Sequence, residues 1–348
     1  MAKTVSRKKK AVKQAIADGK KAKFPSMLTP MLATLVDKPF NSDDWLYEIK
    51  WDGYRAMAFI NKGKVELKSR NNKSFNEKFY PVYNALKKTS MDVVLDGEVI
   101  VAAENGLANF GALQNWRSEE DGQLMYYVFD ILWLNGYSLV DLPLQKRRSI
   151  LNTQLSENDT IRISQAFDTD GNTFFKTAQK MKLEGIMAKK KESIYEPGVR
   201  SKDWLKIKNG HRHEVVIGGY THNEGSTKKF SSLLVGVFEK NKLRYTGKIG
   251  TGFTDKLQTT MMKQFKPLIR KTSPFAEMPD VNKATRFRPN PPKAQAVWLK
   301  PQLICEVSYT EITADGVMRH PSFEGMRTDK KAKDVKPEKA LHLKKKSQ

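Results

Sequence analysis

Alternating apolar and polar positions predict a set of strands between residue 24 and about residue 211. In such a run every second side chain faces the same side, so the apolar ones can cover a core. Helical candidates at residues 75–88 and 172–182 lie among these runs. The predicted strands are residues 45–51, 56–60, 93–102 and 125–133. Strands that alternate with helices favour a mixed α/β domain over residues 24–211.

The pattern changes after a polar junction at residues 209–213. Short strand-like runs with turn residues between them then follow one another, at residues 214–220, 233–239, 242–249 and 303–310. Several short strands punctuated in this way predict a small β-barrel over residues 212–330. A proline-rich stretch at 288–292 predicts an extended surface loop.

Positive charge is concentrated at the two ends of the chain. The protein has 62 basic and 38 acidic residues, a net charge of +24. Residues 1–23 hold nine basic side chains and one acidic one and predict a flexible basic arm, and residues 331–348 predict a basic tail. The middle of the chain is also basic and would attract a polyanion. A surface charged only for solubility stays an alternative.

The composition excludes several classes of protein. No stretch of about 18 apolar residues could span a bilayer, and no amphipathic helix with a large apolar face accompanies the charge. The N-terminus lacks the apolar run of a secretory signal, and a single cysteine, Cys305, cannot form an intrachain disulfide. We therefore expect a soluble, cytoplasmic protein, without a membrane partner, in which Cys305 is a buried packing residue.

A short run around Lys50 carries the first candidate for chemistry. Residues 47–51 read YEIKW, so Glu48 and Lys50 share one face of a strand. Residues 52–53, Asp-Gly, then turn the chain. Taken alone, a lysine beside such a turn indicates only an ordinary surface position.

Further motifs follow at separations that suit one folded domain. They are Ser69-Arg70-Asn71, Leu95-Asp96-Gly97-Glu98, Phe129-Asp130, Glu184-Gly185 and Trp204-Leu205-Lys206-Ile207-Lys208. In order, they resemble the nucleotidyltransferase motifs of the covalent-lysine superfamily, which comprises ATP-dependent DNA ligases, RNA ligases and mRNA capping enzymes. The sequence around these motifs is similar to the ligase module of bacterial end-joining polyfunctional ligases. The similarity extends to residues 110–114, 247–253 and 319–330. The resemblance covers roughly residues 25–330.

This resemblance implies an α+β fold. The adenylation (nucleotidyltransferase) domain, with mixed or antiparallel sheets, would occupy residues 24–211. A small OB-fold β-barrel domain would follow at residues 212–330. The two basic segments, at residues 1–23 and 331–348, would lie outside both domains.

The resemblance also implies a nucleotide site around Lys50. Lys50 is the expected nucleophile, and it can attack the α-phosphorus of ATP only as the neutral amine, so positive charge or desolvation must lower its pKa. Glu48 would read the edge of adenine, and Phe129 would stack on its face. The remaining expected nucleotide contacts are basic: Arg55 as a charge that could lower the pKa of Lys50, Lys206 and Lys208 at the phosphates, Arg70 and Arg200 at the nucleotide or the 5′-phosphate of a nick, and Arg327 and Lys330 over the departing pyrophosphate.

Glu98 and Glu184 are the expected metal ligands, and Glu98 is also an expected nucleotide contact. Carboxylate oxygens suit Mg²⁺ better than zinc, and Mn²⁺ is an expected substitute. There is no G-x-x-x-x-G-K-[ST] loop and no G-x-G-x-x-G after a strand, so ATP use would depend on the lysine. Each of these residues, taken singly, also has an ordinary structural explanation, such as a core position for Phe129.

We therefore expect an ATP-dependent DNA ligase that seals 3′-hydroxyl/5′-phosphate nicks in duplex DNA. It would work through a lysyl-AMP and a 5′-adenylated DNA intermediate, in DNA repair, recombination or replication. Nicked duplex DNA is the expected partner and a monomer the expected state, while an end-joining DNA-binding partner is left open. The alternatives are an RNA ligase or capping-type nucleotidyltransferase that shares Lys50, and an inert DNA-binding scaffold.

Overall fold

The computed structural model of the protein describes residue 13 and residues 16–103, 106–283, 293–337 and 340–341. The chain divides into two compact units, one of Met1–Asn209 with Lys339–Gln348 and one of Gly210–Glu338. The predicted loop at 288–292, most of the predicted arm and half of the predicted tail lie outside the described residues.

The first unit is built from two β-sheets with helices packed on them. Its strands are β1 (Lys20–Lys21), β2 (Leu32–Leu35), β3 (Trp45–Ile49), β4 (Tyr54–Asn61), β5 (Lys64–Ser69), β6 (Val93–Ala102), β7 (Gln123–Leu134), β8 (Tyr137–Ser138), β9 (Ile161–Ile163), β10 (Ala166–Phe167), β11 (Gly185–Lys190) and β12 (Arg200–Lys208). The helices whose bounds are described are α1 (Tyr80–Leu86), α2 (Phe110–Asn115), α3 (Leu144–Gln154) and α4 (Gly171–Lys180), with a 3₁₀ turn at Glu119–Asp121.

The two sheets of this unit lie face to face. One has the order β1-β8-β7-β6-β4-β5 with β9 beside β7, and the other has the order β10-β3-β11-β12-β2. Because side chains alternate along β4, Ala56 and Ala58 face a large core under α1 and α2, whereas Met57 and Phe59 face a smaller cluster. That smaller cluster also contains Trp204 of β12, so it fills the space between the sheets.

The outer face of the second sheet is apolar. Tyr47, Ile186 and Ile207 pack there with Phe175 and Ala178 of α4. Each buried isoleucine or phenylalanine side chain in this group contributes roughly 1.5–3 kcal/mol. Burial of this face therefore leaves the other face of β3, β11 and β12 to carry polar groups.

The second unit contains one large sheet and a short ribbon. Its elements are β13 (His211–Asn223), β14 (Ser232–Glu239), β15 (Lys242–Ile249), α5 (Asp255–Phe265), β16 (Ile269–Arg270), β17 (Ala294–Leu299), β18 (Ile304–Tyr309), β19 (Glu311–Ile312), β20 (Met318–Arg319) and β21 (Ser322–Arg327), with 3₁₀ turns at Lys266–Leu268 and Ala332–Asp334. The sheet has the order β15-β14-β13-β17-β16, β18 also pairs with β13 and with β21, and β19 pairs with β20. Cys305 is buried in the core of this unit, as expected, and burial raises the pKa of its thiol.

The predicted elements are present with shifted ends. The strand at 93–102 is found as predicted, and the strand expected at 214–220 extends over the whole of β13. The helix expected at 75–88 begins only at Tyr80, because Pro81 occupies its first turn. α3 and α5 were not predicted.

Residues 16–23, which we expected in the flexible arm, belong to the first unit. β1 pairs with β8, Ile16 packs against the large core, and the indole nitrogen of Trp133 donates to the carbonyl oxygen of Ala22 (3.1 Å). The lysines of β1 are exposed while its backbone is paired, which is a common pattern at a sheet edge. The high charge of this segment led us to predict a flexible arm where the chain forms a short strand.

The predicted tail is also partly packed. Val335 is buried in the second unit, and its carbonyl oxygen accepts a hydrogen bond from the amide of Phe238 (2.8 Å). Leu341 forms a bridge with Val36 of the first unit. The apolar residues within this lysine-rich segment explain why parts of it are held.

Candidate active site

Lys50 lies where the chain passes from one sheet of the first unit to the other. It directly follows β3 of the second sheet, and β4 of the first sheet comes next. The amide of Lys50 donates to the carbonyl oxygen of Gly185 at the start of β11 (3.1 Å). The turn expected at 52–53 is therefore a crossover between sheets and not a hairpin. Gly53 is needed there because a Cβ would lie 2.2 Å from the carbonyl oxygen of Val99.

The ammonium group of Lys50 forms an ion pair with Glu184, just before β11. The Lys50 side chain is 19% exposed and the Glu184 side chain 5%. Gly185 allows this approach, since a Cβ on it would lie 2.1 Å from the carbonyl oxygen of Ile207 on β12. The expected nucleophile and one expected metal ligand are therefore in contact.

The register of the second sheet places further predicted residues on the same face. Met187 of β11 lies opposite Glu48 of β3 and opposite Lys206 of β12. Directly opposed side chains in a sheet point to the same side. Lys50 and Lys208 lie two residues further along their segments, so they also face that side. Both lysines of the last motif therefore share a face with Lys50.

Arg55 and Glu98 enter the same space from the first sheet. Arg55 of β4 makes two hydrogen bonds to the carboxylate of Asp96 on β6, one of them 2.8 Å long. Burial lowers the pKa of Arg55, but the charge of Asp96 outweighs it and raises that pKa above its ordinary value. Glu98 lies opposite Arg55 in the pairing of β6 with β4, and its Cγ lies 3.0 Å from where a Cβ of Gly53 would be. Glu98 and Glu184 therefore flank the crossover that carries Lys50.

Phe129, on β7, also lies between the sheets. The residue is 8% exposed, and the ammonium group of Lys189 lies 4.3 Å from the centroid of its ring. The guanidinium carbon of Arg55 lies 4.9 Å from the same centroid, and Trp204 packs edge-on at 6.2 Å. Cations are attracted to aromatic faces in this way. Phe129 is thus placed with the site residues and not in the large core, while its stacking on adenine stays a prediction.

Glu48 is buried between two cations that we did not predict. Arg148 of α3 donates to one carboxylate oxygen (3.0 Å), and Lys189 of β11 donates to the other (2.9 Å). The sequence contains a signal for Arg148. Leu144 and Leu151 mark the inward face of α3, and residues 147–148 lie between them at helical spacing. Two consecutive arginines on that face indicate buried charges with partners.

Arg70 and Arg200 lie at the ends of two strands. Arg70 follows β5 in a tight turn that is closed by a hydrogen bond from the amide of Asn72 to the carbonyl oxygen of Ser69 (2.9 Å). Arg200 opens β12 and donates to the carbonyl oxygen of Ala33 (2.6 Å). In the pairing of β12 with β2, Arg200 lies opposite Leu32 and Lys206 opposite Leu35, with a bulge between Ser201 and Leu205. The roles of both arginines stay predictions.

Arg327 and Lys330 lie in the second unit among acidic residues. Arg327 makes two hydrogen bonds of 3.0 Å to Asp329, and Lys330 forms an ion pair with Glu214. Burial lowers the pKa of Arg327, but Asp329, Glu214 and Glu306 outweigh it and raise that pKa well above its ordinary value. Arg327 is therefore a permanent cation whose charge is met within its own unit.

Comparison with known proteins identifies the family. The model for the ATP dependent DNA ligase domain matches residues 30–208, just over half of the chain, and that for the ATP dependent DNA ligase C terminal region matches residues 226–330. This chain belongs to the ATP-dependent DNA ligase family. The predicted α+β class, a nucleotidyltransferase domain followed by an OB-fold-like domain, is confirmed for this ligase-family chain.

The relatives of this ligase-family chain include end-joining proteins. It is 36% identical over 324 residues to the multifunctional non-homologous end joining protein LigD of Pseudomonas aeruginosa, which covers 91% of this chain and 37% of that protein. The chain thus spans well under half the length of that relative. It is 30% identical over 306 residues to the SPbeta prophage-derived DNA ligase-like protein LigB of Bacillus subtilis, covering 86% of this chain and 99% of that protein.

A solved structure supports the same assignment. The chain is 33% identical to mycobacterial DNA ligase D complexed with ATP and MES, with a TM-score of 0.63 over 88% of this chain and 97% of that one. The resemblance to end-joining ligases that the motifs indicated is therefore confirmed. Within the described residues, no helix is both long and apolar enough to cross a membrane.

Proposed function

We propose that this chain seals nicks in duplex DNA at the expense of ATP, with Lys50 as the residue that carries AMP. The observation that carries the proposal is the position of Lys50 at the crossover between two sheets, in contact with Glu184. In the first step the Lys50 amine attacks the α-phosphorus of ATP and pyrophosphate leaves. AMP then passes to the 5′-phosphate of the nick, and the 3′-hydroxyl displaces it.

The surroundings of Lys50 suit the first step. An ammonium group cannot attack phosphorus, so the ion pair with Glu184 must open and a proton must leave beforehand. Lys206 and Lys208 share the face of Lys50, and positive charge nearby favours loss of that proton. The same charges would offset the negative charge of the transferring phosphate.

The remaining site residues take the roles that the family resemblance implies. Glu48 is proposed to accept a hydrogen bond from the adenine edge, and Phe129 to pack against the adenine face. The basic residues are proposed to bind phosphates: Arg55, Lys206 and Lys208 at the nucleotide, Arg70 and Arg200 at the nucleotide or the nick, and Arg327 and Lys330 at the pyrophosphate.

Glu98 and Glu184 fit a Mg²⁺ ion whose other ligands come from the substrate. Among the described residues, no group of three or more Asp, Glu, His or Cys side chains is placed to hold a metal. Mg²⁺ commonly takes one or two carboxylates together with substrate phosphates, so the two glutamates flanking the crossover suit it. Such an ion, or Mn²⁺ in its place, would offset charge on the reacting phosphate.

We propose nicked duplex DNA as the substrate, bound in part through the net charge of +24. We also propose that the chain acts as a monomer in the cytoplasm, and the end-joining name of the LigD relative favours an end-joining DNA-binding protein as its partner. Family membership favours DNA joining over an RNA ligase or capping-type enzyme and over an inert scaffold.

The test follows one label through both transfers. The protein is incubated with ATP labelled at the α-phosphate and Mg²⁺, freed of nucleotide, and then given nicked DNA. We expect acid-stable labelled protein first, and then labelled DNA and a sealed strand. Labelling from GTP, or faster transfer to nicked RNA, would support the capping or RNA-ligase alternatives. Absence of any labelled protein would support an inert scaffold.

A further inference from the structure

The guanidinium of Arg148 joins three separate segments of the first unit. It donates to Glu48 on β3 (3.0 Å), to the carbonyl oxygen of Phe129 on β7 (3.2 Å) and to the carbonyl oxygen of Ser164 after β9 (2.6 Å). Arginine presents its donors in a fixed plane, so one side chain can hold several acceptors in a set arrangement. Arg148 therefore fixes the relative positions of Glu48 and Phe129.

Lys189 holds Glu48 from the other side. Its ammonium group bonds the second carboxylate oxygen at 2.9 Å and lies 4.3 Å from the ring centroids of both Phe129 and Trp204. Burial lowers the pKa of Lys189, and the charge of Glu48 opposes that shift. Glu48 thus has a cation on each oxygen, and each oxygen has a second lone pair for another donor.

The same network reaches the residue that follows Lys50. The hydroxyl of Ser164 accepts a hydrogen bond from the indole nitrogen of Trp51 (3.1 Å). The Trp51 ring stacks on Tyr127 with the centroids 3.8 Å apart. Glu48 lies two residues before Lys50 and Trp51 directly after it, and both connect to Arg148, Glu48 directly and Trp51 through Ser164.

We propose that Arg148, together with Lys189, positions Glu48 and Phe129 for recognition of the base and so sets the preference for ATP over GTP. This inference rests on the proposed function. A carboxylate only accepts hydrogen bonds. Adenine presents an amino group where guanine presents a carbonyl oxygen, so an acceptor fixed at that edge favours adenine. Arg148 acts through Glu48 and Phe129, which makes it a positioning residue.

The experiment measures the equilibrium affinity for ATP and for GTP by calorimetry, in a Lys50→Ala background that cannot form an adduct. Arg148→Met, Arg148→Lys, Lys189→Met and Glu48→Gln are compared with their parent. We expect Arg148→Met to weaken ATP binding about tenfold to a hundredfold, the usual worth of a charged hydrogen bond, while GTP binding changes less. Arg148→Lys should recover only part of the ATP preference, because a lysine cannot hold three acceptors in one plane.

Arg147 provides the matched control. It is the preceding residue on α3, it is fully buried, and it makes two hydrogen bonds of 2.8 Å to Asp130. Arg147→Lys should lower the denaturant midpoint of unfolding and leave the ratio of ATP to GTP affinity near the parent value. The same variants with Lys50 restored give KM and kcat for adduct formation, where a raised KM with kcat nearly kept is expected for Arg148→Lys.

The outcomes separate positioning from a purely structural role. If Arg148→Lys changes the affinity ratio no more than Arg147→Lys does, Arg148 is structural and the proposal is wrong. If Arg148→Met does not fold, Arg148→Lys and Glu48→Gln decide, and a Glu48→Gln protein with the parent ratio overturns the proposal. A protein with Lys50 that binds ATP selectively but forms no adduct would instead contradict the proposed function.

Discussion

Each unit holds a buried arginine that makes two hydrogen bonds to one aspartate, but the carboxylates around the two arginines differ in how completely they are hydrogen-bonded. In the first unit, Arg55 donates two hydrogen bonds to Asp96, and the same carboxylate accepts a hydrogen bond from the hydroxyl of Tyr195 at 2.6 Å. In the second unit, Arg327 likewise makes two hydrogen bonds to Asp329, but it also lies 3.7 Å from the carboxylate of Glu306, beyond hydrogen-bond range. Among the described residues, the same Glu306 oxygen is buried without a hydrogen-bond partner.

This difference affects how firmly each arginine is held by its carboxylate partners. A fully bonded buried ion pair is rigid, and breaking it leaves a charge without compensation. A cluster with an unmet carboxylate holds its arginine partly through longer contacts. The proposed roles fit this difference: Arg55 would be held in a preformed site, whereas Arg327 would exchange a carboxylate for a phosphate.

The largest loss of stability is expected when the ion pair between Arg55 and Asp96 is broken. Asp96→Ala leaves both Arg55 and Tyr195 without their buried partner, so the free energy of unfolding should fall by roughly 3–5 kcal/mol. Chemical denaturation measures it. Asp121→Ala, which removes the partner of the exposed Arg117, should change stability little. Equal losses in the two variants would mean that the Arg55 setting is not special.

Replacing Arg327 in the second unit should affect one step of the reaction. Arg327→Ala should slow adduct formation from ATP about tenfold to a hundredfold by loss of a charged contact, yet still seal a nick that already carries 5′-AMP. Single-turnover rates of the two reactions give the comparison, with the exposed Arg319→Ala as control. If both rates fall together, or if neither falls, Arg327 has no step-specific role.

The smallest effect is expected at the unmet carboxylate. Glu306→Gln removes a buried carboxylate charge, and the Oε2 atom of that carboxylate has no hydrogen bond among the described residues. The free energy of unfolding should therefore stay within about 1 kcal/mol of that of the original protein. The same substitution at Glu48 removes the partner of two buried cations and should cost more. Denaturant unfolding of the two variants compares them, and a larger loss at Glu306 would reverse the contrast between the units.

Much of the site could be predicted because strand alternation is local. The two-residue period put Glu48 with Lys50 and Lys206 with Lys208, and the register of β3, β11 and β12 places these residues on one face. Which strands pair is not local. The Asp-Gly pair at 52–53 predicted a turn, but the chain crosses between sheets there because β3 pairs with β10 and β11.

The partners of Glu48 could not be predicted for the same reason. Arg148 and Lys189 lie 100 and 141 residues further along the chain, and only the packing of α3 and β11 brings them to it. Charge also misled at the N-terminus, where Ile16 and the β1 backbone are packed despite the surrounding lysines. The residue types in the motifs were enough to propose a chemistry, whereas the tertiary fold determines which charged side chains form ion pairs.

The most direct test of the account is whether AMP becomes attached to Lys50. The original protein, Lys50→Ala, Lys50→Arg and the exposed Lys64→Ala are incubated with ATP and Mg²⁺, and the intact mass of each is measured. An added AMP is expected on the original protein and on Lys64→Ala. Neither Lys50 variant should carry it, since alanine has no nucleophile and arginine stays protonated. An AMP adduct on Lys50→Ala would contradict the account, because another residue would then be the nucleophile.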